Sequence, residues 1–124
     1  MAVTYVKLFT NEVLDRLVED MNAFFTEEGY VRLPRQFAFS SAATSTGRSV
    51  YAAMVHYTDE VSETTKQFMS FVTQNPDEAQ AWLSEKINTG GNLVDSFAGH
   101  AVMISGHGQV SYHVFLYREY VPCS

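Results

Sequence analysis

The stretch Asn75–Ser96, NPDEAQAWLSEKINTGGNLVDS, holds the clearest helix start in the chain and its only tryptophan. Asn75 suits an N-cap, Pro76 the first helical position, and Glu78 the third residue of a capping box. Ala79, Trp82, Leu83, Lys86 and Ile87 recur at helical spacing, and Thr89-Gly90-Gly91-Asn92 ends the helix. A wide π face on a short helix that runs into a donor-rich loop can hold a nucleotide. The ring would stack on the base, the Asn92 amide would read an edge, and Gly90 and Gly91 would let backbone approach phosphate. Trp82 also shares its stripe with Ala79 and Leu83, as a core residue would. Both readings stand on the sequence.

Outward from that stretch, 124 residues make one domain, and 46% hydrophobic content with scattered charge excludes disorder. No apolar run reaches the roughly 18 to 20 residues of a membrane span, and no signal peptide opens the chain. Cys123 is the single cysteine, so no internal disulfide can form and a reducing, cytoplasmic setting is expected. A net charge of −6 argues against duplex nucleic acid, which wants a basic face.

The charge is unevenly spread. No acidic residue lies between Gly29 and Thr58, where Arg32, Arg35 and Arg48 fall. The acids gather where helices are expected, at Glu12 to Glu28, Asp59 to Glu63 and Asp77 to Glu85. A small anion could find a local positive site on such a chain, although acids also favour solvated helix faces for no other reason.

In order, Val3 to Phe9 alternates as a strand, and Thr10 or Asn11 caps a helix striped by Leu14, Leu17, Val18, Met21, Phe24 and Phe25. Tyr30 to Ala43 has period two, with Pro34 marking an edge strand or a bulge. Thr44 to Ser49 is a hairpin loop, and Val50 to Tyr57 returns as a strand. Val61, Thr65, Phe68, Met69 and Val72 fit a second helix opened by Thr58 or Asp59. After the Trp82 helix, Phe97 to Ser105 and Gln109 to Tyr120 flank Gly106-His107-Gly108 as a hairpin. No internal repeat is evident. The expected fold is α+β, an antiparallel or mixed sheet in the order β-α-β-β-α-α-β-β with helices packed on one face.

A turn centred on His107-Gly108 sets Met103 opposite Tyr112 and Ala101 opposite Val114, with Val102 beside His113 on the reverse face. Both faces of this hairpin are then apolar, where a half-solvated sheet would alternate. Three helices can cover one face. A second subunit about a twofold axis, or helices on both sides, must cover the other.

Chemistry is hard to place. His56, His100, His107 and His113 match no metal-ligand spacing, although His100 and His113 could approach each other across the last hairpin. Nothing would hold a base near Cys123. No phosphate loop, nucleophile elbow or dinucleotide fingerprint occurs, so no catalytic residue, metal or cofactor is expected.

Four segments, VKLFTNEVLDRLVEDMNAFF, SVYAAMVHYT, AWLSEKINTGGNLVDS and HVFLYREY, together resemble the first-described family of phage anti-Thoeris proteins over nearly the whole chain. The telling feature is an aromatic residue ten positions before an asparagine, here Trp82 and Asn92. The first half alone also resembles a small spore-associated family, which implies no activity. The anti-Thoeris resemblance implies a sponge in the infected cell's cytoplasm. It would bind, without degrading, the cyclic ADP-ribose isomer that a TIR-domain enzyme makes as an alarm. It also implies a dimer with two pockets near its interface, further assembly in some members, and capture of cyclic oligonucleotides. Trp82 carries over as the base-stacking ring and Asn92 as the polar contact. Arg32, Arg35, Arg48 and Arg118 are phosphate candidates on charge alone. Two other classes compete: a protein–protein module with Trp82 in its core, and a nucleotide-processing enzyme using His100 or His113 as base.

Overall fold

The computed structural model describes residues 3–43, 48–61, 63–104 and 107–122. The elements run β1 (Thr4–Asn11), α1 (Leu14–Phe25), β2 (Leu33–Ala43), β3 (Ser49–Thr58), β4 (Thr65–Thr73), α2 (Pro76–Ile87), β5 (Gly91–Ile104) and β6 (Val110–Pro122). They form two antiparallel three-stranded sheets, ordered β1-β3-β2 and β4-β6-β5. The α+β class stands, but one element differs. The segment expected as a second helix is strand β4, TKQFMSFVT. It is rich in Thr, Phe and Val, which favour the pleated state. Apolar residues lie on both its faces, Phe68 on one and Met69 and Phe71 on the other, so alternation is lost and helical spacing is mimicked. No helix among the described residues is long and apolar enough to cross a membrane.

Residues 4–58 and 65–122 form two units of the same topology. Each runs strand, twelve-residue helix, strand, strand, and each places its last strand in the middle of its sheet. Each also has a bulge early in its second strand: between Pro34 and Gln36 opposite Tyr57 and His56, and between Leu93 and Asp95 opposite Tyr120 and Glu119. Matching Tyr57 to Tyr120 aligns the row Leu8–Met54–Ala38 with the row Phe68–Tyr117–Phe97. The aligned rows share no residue type, which is why the repeat is absent from the sequence. Pro34 marks both an edge strand and a bulge.

The helix starts follow local chemistry. Asn11 Oδ1 accepts from the Val13 N–H at 2.9 Å ahead of α1, and Asn75 Oδ1 accepts from the Asp77 N–H at 2.9 Å at α2. The capping box at α2 closes through an inserted hydroxyl. Thr73 Oγ1 donates to Glu78 Oε2 at 2.7 Å and accepts from the Asn75 N–H at 3.1 Å.

Helix α1 covers one face of the first sheet, joining Leu14, Leu17, Met21 and Phe25 to Phe9, Tyr51, Ala53 and Val55. The second sheet turns Phe68, Phe115 and Tyr117 into the same core. Its opposite face carries α2. Strand β6 is therefore buried at every position from His113 to Glu119. The two-faced apolarity of β6 is thus satisfied within one chain, and needs no second subunit. Strand β5 differs, since Val102 (52% exposed) and Ile104 (68% exposed) lie uncovered on the α2 side. The hairpin register is one residue from the expected one: Met103 pairs with Ser111 and Ala101 with His113. That slip places His113 on the core face and His100 on the other, so they do not approach each other. The loop residues 44–47, and Ser105 and Gly106 of the last turn, lie outside the described residues.

The two units pack closely at Gly99. A Cβ there would stand 3.0 Å from the Phe39 Cβ and 3.2 Å from the Phe37 ring. We expect Gly99→Val to destabilise the protein by about 1–3 kcal/mol through overpacking, with a lower urea midpoint. An unchanged midpoint would mean that the seam between the units is not closely packed.

Candidate functional site

Trp82 lies on the buried stripe of α2 with Ala79, Leu83, Lys86 and Ile87, as its spacing indicates. Its ring stacks on Phe71 of β4, with centroids 5.3 Å apart and planes 8° from parallel. It is half-buried, between a sealed core position and an open platform. Asn92 is the second residue of β5, not a loop residue, and pairs with Val121. Phe71 pairs with Val114, seven residues along β6 from Val121, a separation of about 23 Å at strand rise. Directly paired residues share a face. Phe71 and Val114 lie on the α2 face, while Val121 and Asn92 lie on the face of Tyr117 and Glu119. Within one chain, Trp82 and Asn92 do not line a common pocket.

The arginines divide by their surroundings. Arg118 is buried and closes the C-terminal end of α2. Its Nη1 donates to the Lys86 carbonyl at 2.7 Å and to the Thr89 carbonyl, and its Nη2 donates to Gln67 Oε1 at 2.9 Å. The guanidinium also covers the Tyr120 ring at 4.5 Å. Asn88 Nδ2 and Thr89 Oγ1 donate to the Ser84 and Glu85 carbonyls, so the last turn of α2 is capped by side chains. Gly90 is left-handed, φ 98°, and a Cβ on it would meet Tyr120 at 3.3 Å. Its glycine character serves this cap, and Gly91 already begins β5. Arg118 is thus a helix cap before it is a ligand donor.

Arg32 does the same for α1. Its Nη1 donates to the Phe24 carbonyl at 2.8 Å and to Glu27 Oε2 at 2.7 Å. The guanidinium lies between the Phe24 ring at 3.7 Å and the Tyr30 ring at 4.1 Å. Arg48 is exposed and pairs with Glu12 at 3.4 Å. Arg35 sits exposed at the β2 bulge and holds no ion pair among the described residues. It acts at a distance on Tyr117, whose phenol has a raised pKa. Burial is the main cause, Glu119 and Asp95 add to it, and Arg35 opposes it. The Tyr117 hydroxyl has no hydrogen-bond partner among the described residues. The four arginines do not converge on one site.

An open cleft of about 260 Å³ is lined by Tyr5, Tyr30, Val31, Arg32, Tyr57 and Asp59. A second, of about 150 Å³, adjoins it across Tyr30, Val31 and Arg32 and reaches Phe25, Glu60 and Lys66. Tyr5 and Tyr57 are direct cross-strand partners, stacked at 5.4 Å. The cleft thus offers exposed rings, Tyr5 43% and Tyr30 59%, beside a fixed cation. Arg32 directs Nη1 inward, and its Nε and Nη2 make no hydrogen bond among the described residues. Sequence reasoning missed Tyr5, Tyr30 and Tyr57, because the fold alone brings them together.

His113 is buried, and both ring nitrogens are engaged: Nδ1 with the Tyr51 hydroxyl at 3.2 Å and Nε2 with Ser111 Oγ at 3.0 Å. Burial lowers its pKa from the ordinary 6.5. Among the described residues, no three His, Cys, Asp or Glu side chains group to hold a metal. No protein-family model, curated protein or solved structure matches the chain.

Two outcomes follow for stability. Arg118→Ala leaves the Lys86 and Thr89 carbonyls and the Gln67 amide oxygen without their charged donor and should cost about 2–4 kcal/mol. Arg35→Ala and Arg48→Ala should each change stability by under about 1 kcal/mol. Equal effects in urea denaturation would refute the capping role. For His113, the unfolded chain takes up a proton before the folded chain does. Stability should therefore fall as pH drops through about 6.5 and level off below the folded-state pKa. His113→Gln should flatten this dependence, and an unaltered pH slope would assign the titration to another group.

Proposed function

We propose that this chain is a non-catalytic binding protein of the cytoplasm that sequesters a small, planar, anionic nucleotide. The ligand implied by the resemblance is the cyclic ADP-ribose isomer made by TIR-domain enzymes during phage infection. The observation that carries this reading is the tyrosine-lined cleft at Arg32. Tyr5 and Tyr30 offer stacking faces, and Arg32 is held rigid between two rings with donors to spare. Stacking contributes about 1–3 kcal/mol per base, and a charge-assisted bond to phosphate about 1.5–3 kcal/mol. Preorganisation limits the ordering cost. A cleft of this size accepts part of a dinucleotide, since full pockets run to roughly 300–1,000 Å³. Trp82 and Asn92 can serve one ligand only from two different chains, given their opposite faces. The same considerations extend to cyclic oligonucleotides.

A protein–protein module is the second reading, favoured by the exposed apolar residues Val6, Leu8 and Met54 on the first sheet. One experiment separates the classes. The protein is incubated with the cyclic ADP-ribose isomer, freed of unbound ligand and heated, and the released material is analysed by chromatography. Intact ligand supports the sponge, altered ligand an enzyme, and no retention the module. Tyr30→Ala should weaken binding roughly 10- to 100-fold, the equivalent of one stack, with the melting temperature kept. If Trp82→Ala alone abolishes binding, the ligand lies at α2 and the Arg32 cleft is not the site.

A further inference from the structure

On the seam face of the second sheet, the aromatic row Phe68–Tyr117–Phe97 is followed by the charged row Lys66–Glu119–Asp95. Glu119 and Asp95 are direct partners on neighbouring strands. Like charges set opposite each other destabilise a sheet, and burial sharpens the cost. Glu119 is only 5% exposed, and Asp95 is half-buried. The β5 bulge creates this pair, since a regular ladder would set Val94 opposite Glu119. Two cations stand near. Lys66 flanks Glu119 on the other side, and its ammonium donates to the Thr64 carbonyl at 3.4 Å. Arg35 reaches the region from the first unit, and forms no ion pair among the described residues. Each carboxylate is oriented by a short contact. Thr64 Oγ1 donates to Glu119 Oε2 at 3.0 Å, and the Ser96 N–H donates to Asp95 Oδ1 at 2.9 Å. These bonds do not fill the roughly four acceptor sites of a carboxylate. Tyr117 lies one row further in and is fully buried. Its hydroxyl has no hydrogen-bond partner among the described residues, so neither carboxylate accepts from it, although both lie close enough to act on its acidity.

We propose that Asp95, Glu119 and Tyr117 form a binding site for a hard divalent cation, Mg2+ or Ca2+, at the edge of the seam. Every donor in the site is an oxygen, which suits hard cations and not Zn2+ or Cu2+. Asp95 and Glu119 would ligate directly, and the half-buried Asp95 side gives the ion its entry from solvent. A small cation held by two carboxylates keeps several of its waters, and one of these supplies the buried Tyr117 hydroxyl with its partner. Thr64 Oγ1 and the Ser96 N–H then fix how the two ligands point. The ion turns a repulsive cross-strand pair into a bridge between β5 and β6. That role explains why the bulge places an acid, and not Val94, opposite a buried glutamate.

The site needs no nucleotide, so it stands or falls apart from the ligand reading. Its test uses the full chain, stripped of metal with EDTA and melted with or without MgCl2 or CaCl2 at constant ionic strength. The parent should melt several degrees higher with at least one of the two salts, because the ion binds only the folded state. Asp95→Asn and Glu119→Gln should each lose that shift. Glu19→Gln, exposed on α1, should keep it. Without metal, Asp95→Asn should melt no lower than the parent, since it relieves the repulsion. A lower melting temperature there would make Asp95 an ion-pair partner of Arg35 or Lys66, and would overturn the site. Terbium adds a readout tied to Tyr117. Tb3+ excited through tyrosine should emit when bound to the parent, Ca2+ should displace it, and Tyr117→Phe should remove most of the emission. No melting shift with either salt, a shift that persists in Asp95→Asn and Glu119→Gln, or emission unaltered by Tyr117→Phe each overturns the proposal.

Discussion

The side-chain amide of Asn22 holds both backbone groups of Phe68, and the arrangement of the two units depends on that clamp. Asn22 Nδ2 donates to the Phe68 carbonyl at 3.0 Å, and Oδ1 accepts from the Phe68 N–H at 2.8 Å. β4 is the edge of its sheet, so these groups would otherwise face an open edge. One residue of α1 thus substitutes for a missing neighbour strand and fixes how the second sheet sits on the first helix. Two such bonds contribute only about 1–3 kcal/mol together. Their larger effect is orientational. They place the Phe68 ring 5.3 Å from Phe25 and bring Phe115 to within 5.1 Å of Phe39. From that placement follow the close approach at Gly99 and the complete burial of Tyr117.

The same economy explains the charge asymmetry. A helix end leaves carbonyls without partners, and a cation near them is stabilising. α1 has no basic residue in its last turn, so Arg32 supplies the charge from the following segment. α2 has Lys86, but its ammonium lies 3.9 Å from Glu85, and Arg118 reaches across from β6 to the carbonyls. Acidic helices and basic strands are two halves of one arrangement. Two arginines that charge alone nominated for phosphate are held by the fold, and what Arg32 retains for a ligand is a by-product of its position at a cleft edge.

Much of the fold was legible because helix stripes are local. Leu14, Leu17, Met21 and Phe25 are all buried in α1, and the α2 stripe faces its sheet. Pro34 reported its bulge through a missing N–H. The failures share one cause, burial on two sides. β4 lies between α1 and α2, so its apolar residues carry no period of two, and β6 looked as though it lacked a cover that the chain itself provides. The duplication was invisible because aligned positions, such as Leu8 and Phe68, hold different residues in open and closed settings. The tyrosine cleft was equally hidden, since Tyr5 and Tyr57 become neighbours only by strand pairing.

These same packing facts bear on binding against catalysis. Shifted ionisable groups often mark active sites, because chemistry needs pKa values tuned to its task. Here His113 and Tyr117 are shifted, and burial is the leading cause in both. Both lie in the seam between the units, where His113 is bonded at both nitrogens and Tyr117 is sealed. Neither lines the open clefts at Arg32, whose walls are the Tyr5, Tyr30, Tyr57 and Phe25 rings, Val31 and Val61, and the charged side chains of Arg32, Asp59, Glu60 and Lys66. A surface of that kind stabilises a ligand through stacking and fixed charge, equally before and after any bond change. Uniform binding of that sort lowers a dissociation constant without lowering a barrier. His113 and Tyr117 thus lie apart from the tyrosine rings and Arg32, and the proposed retention of a ligand draws on the cleft alone.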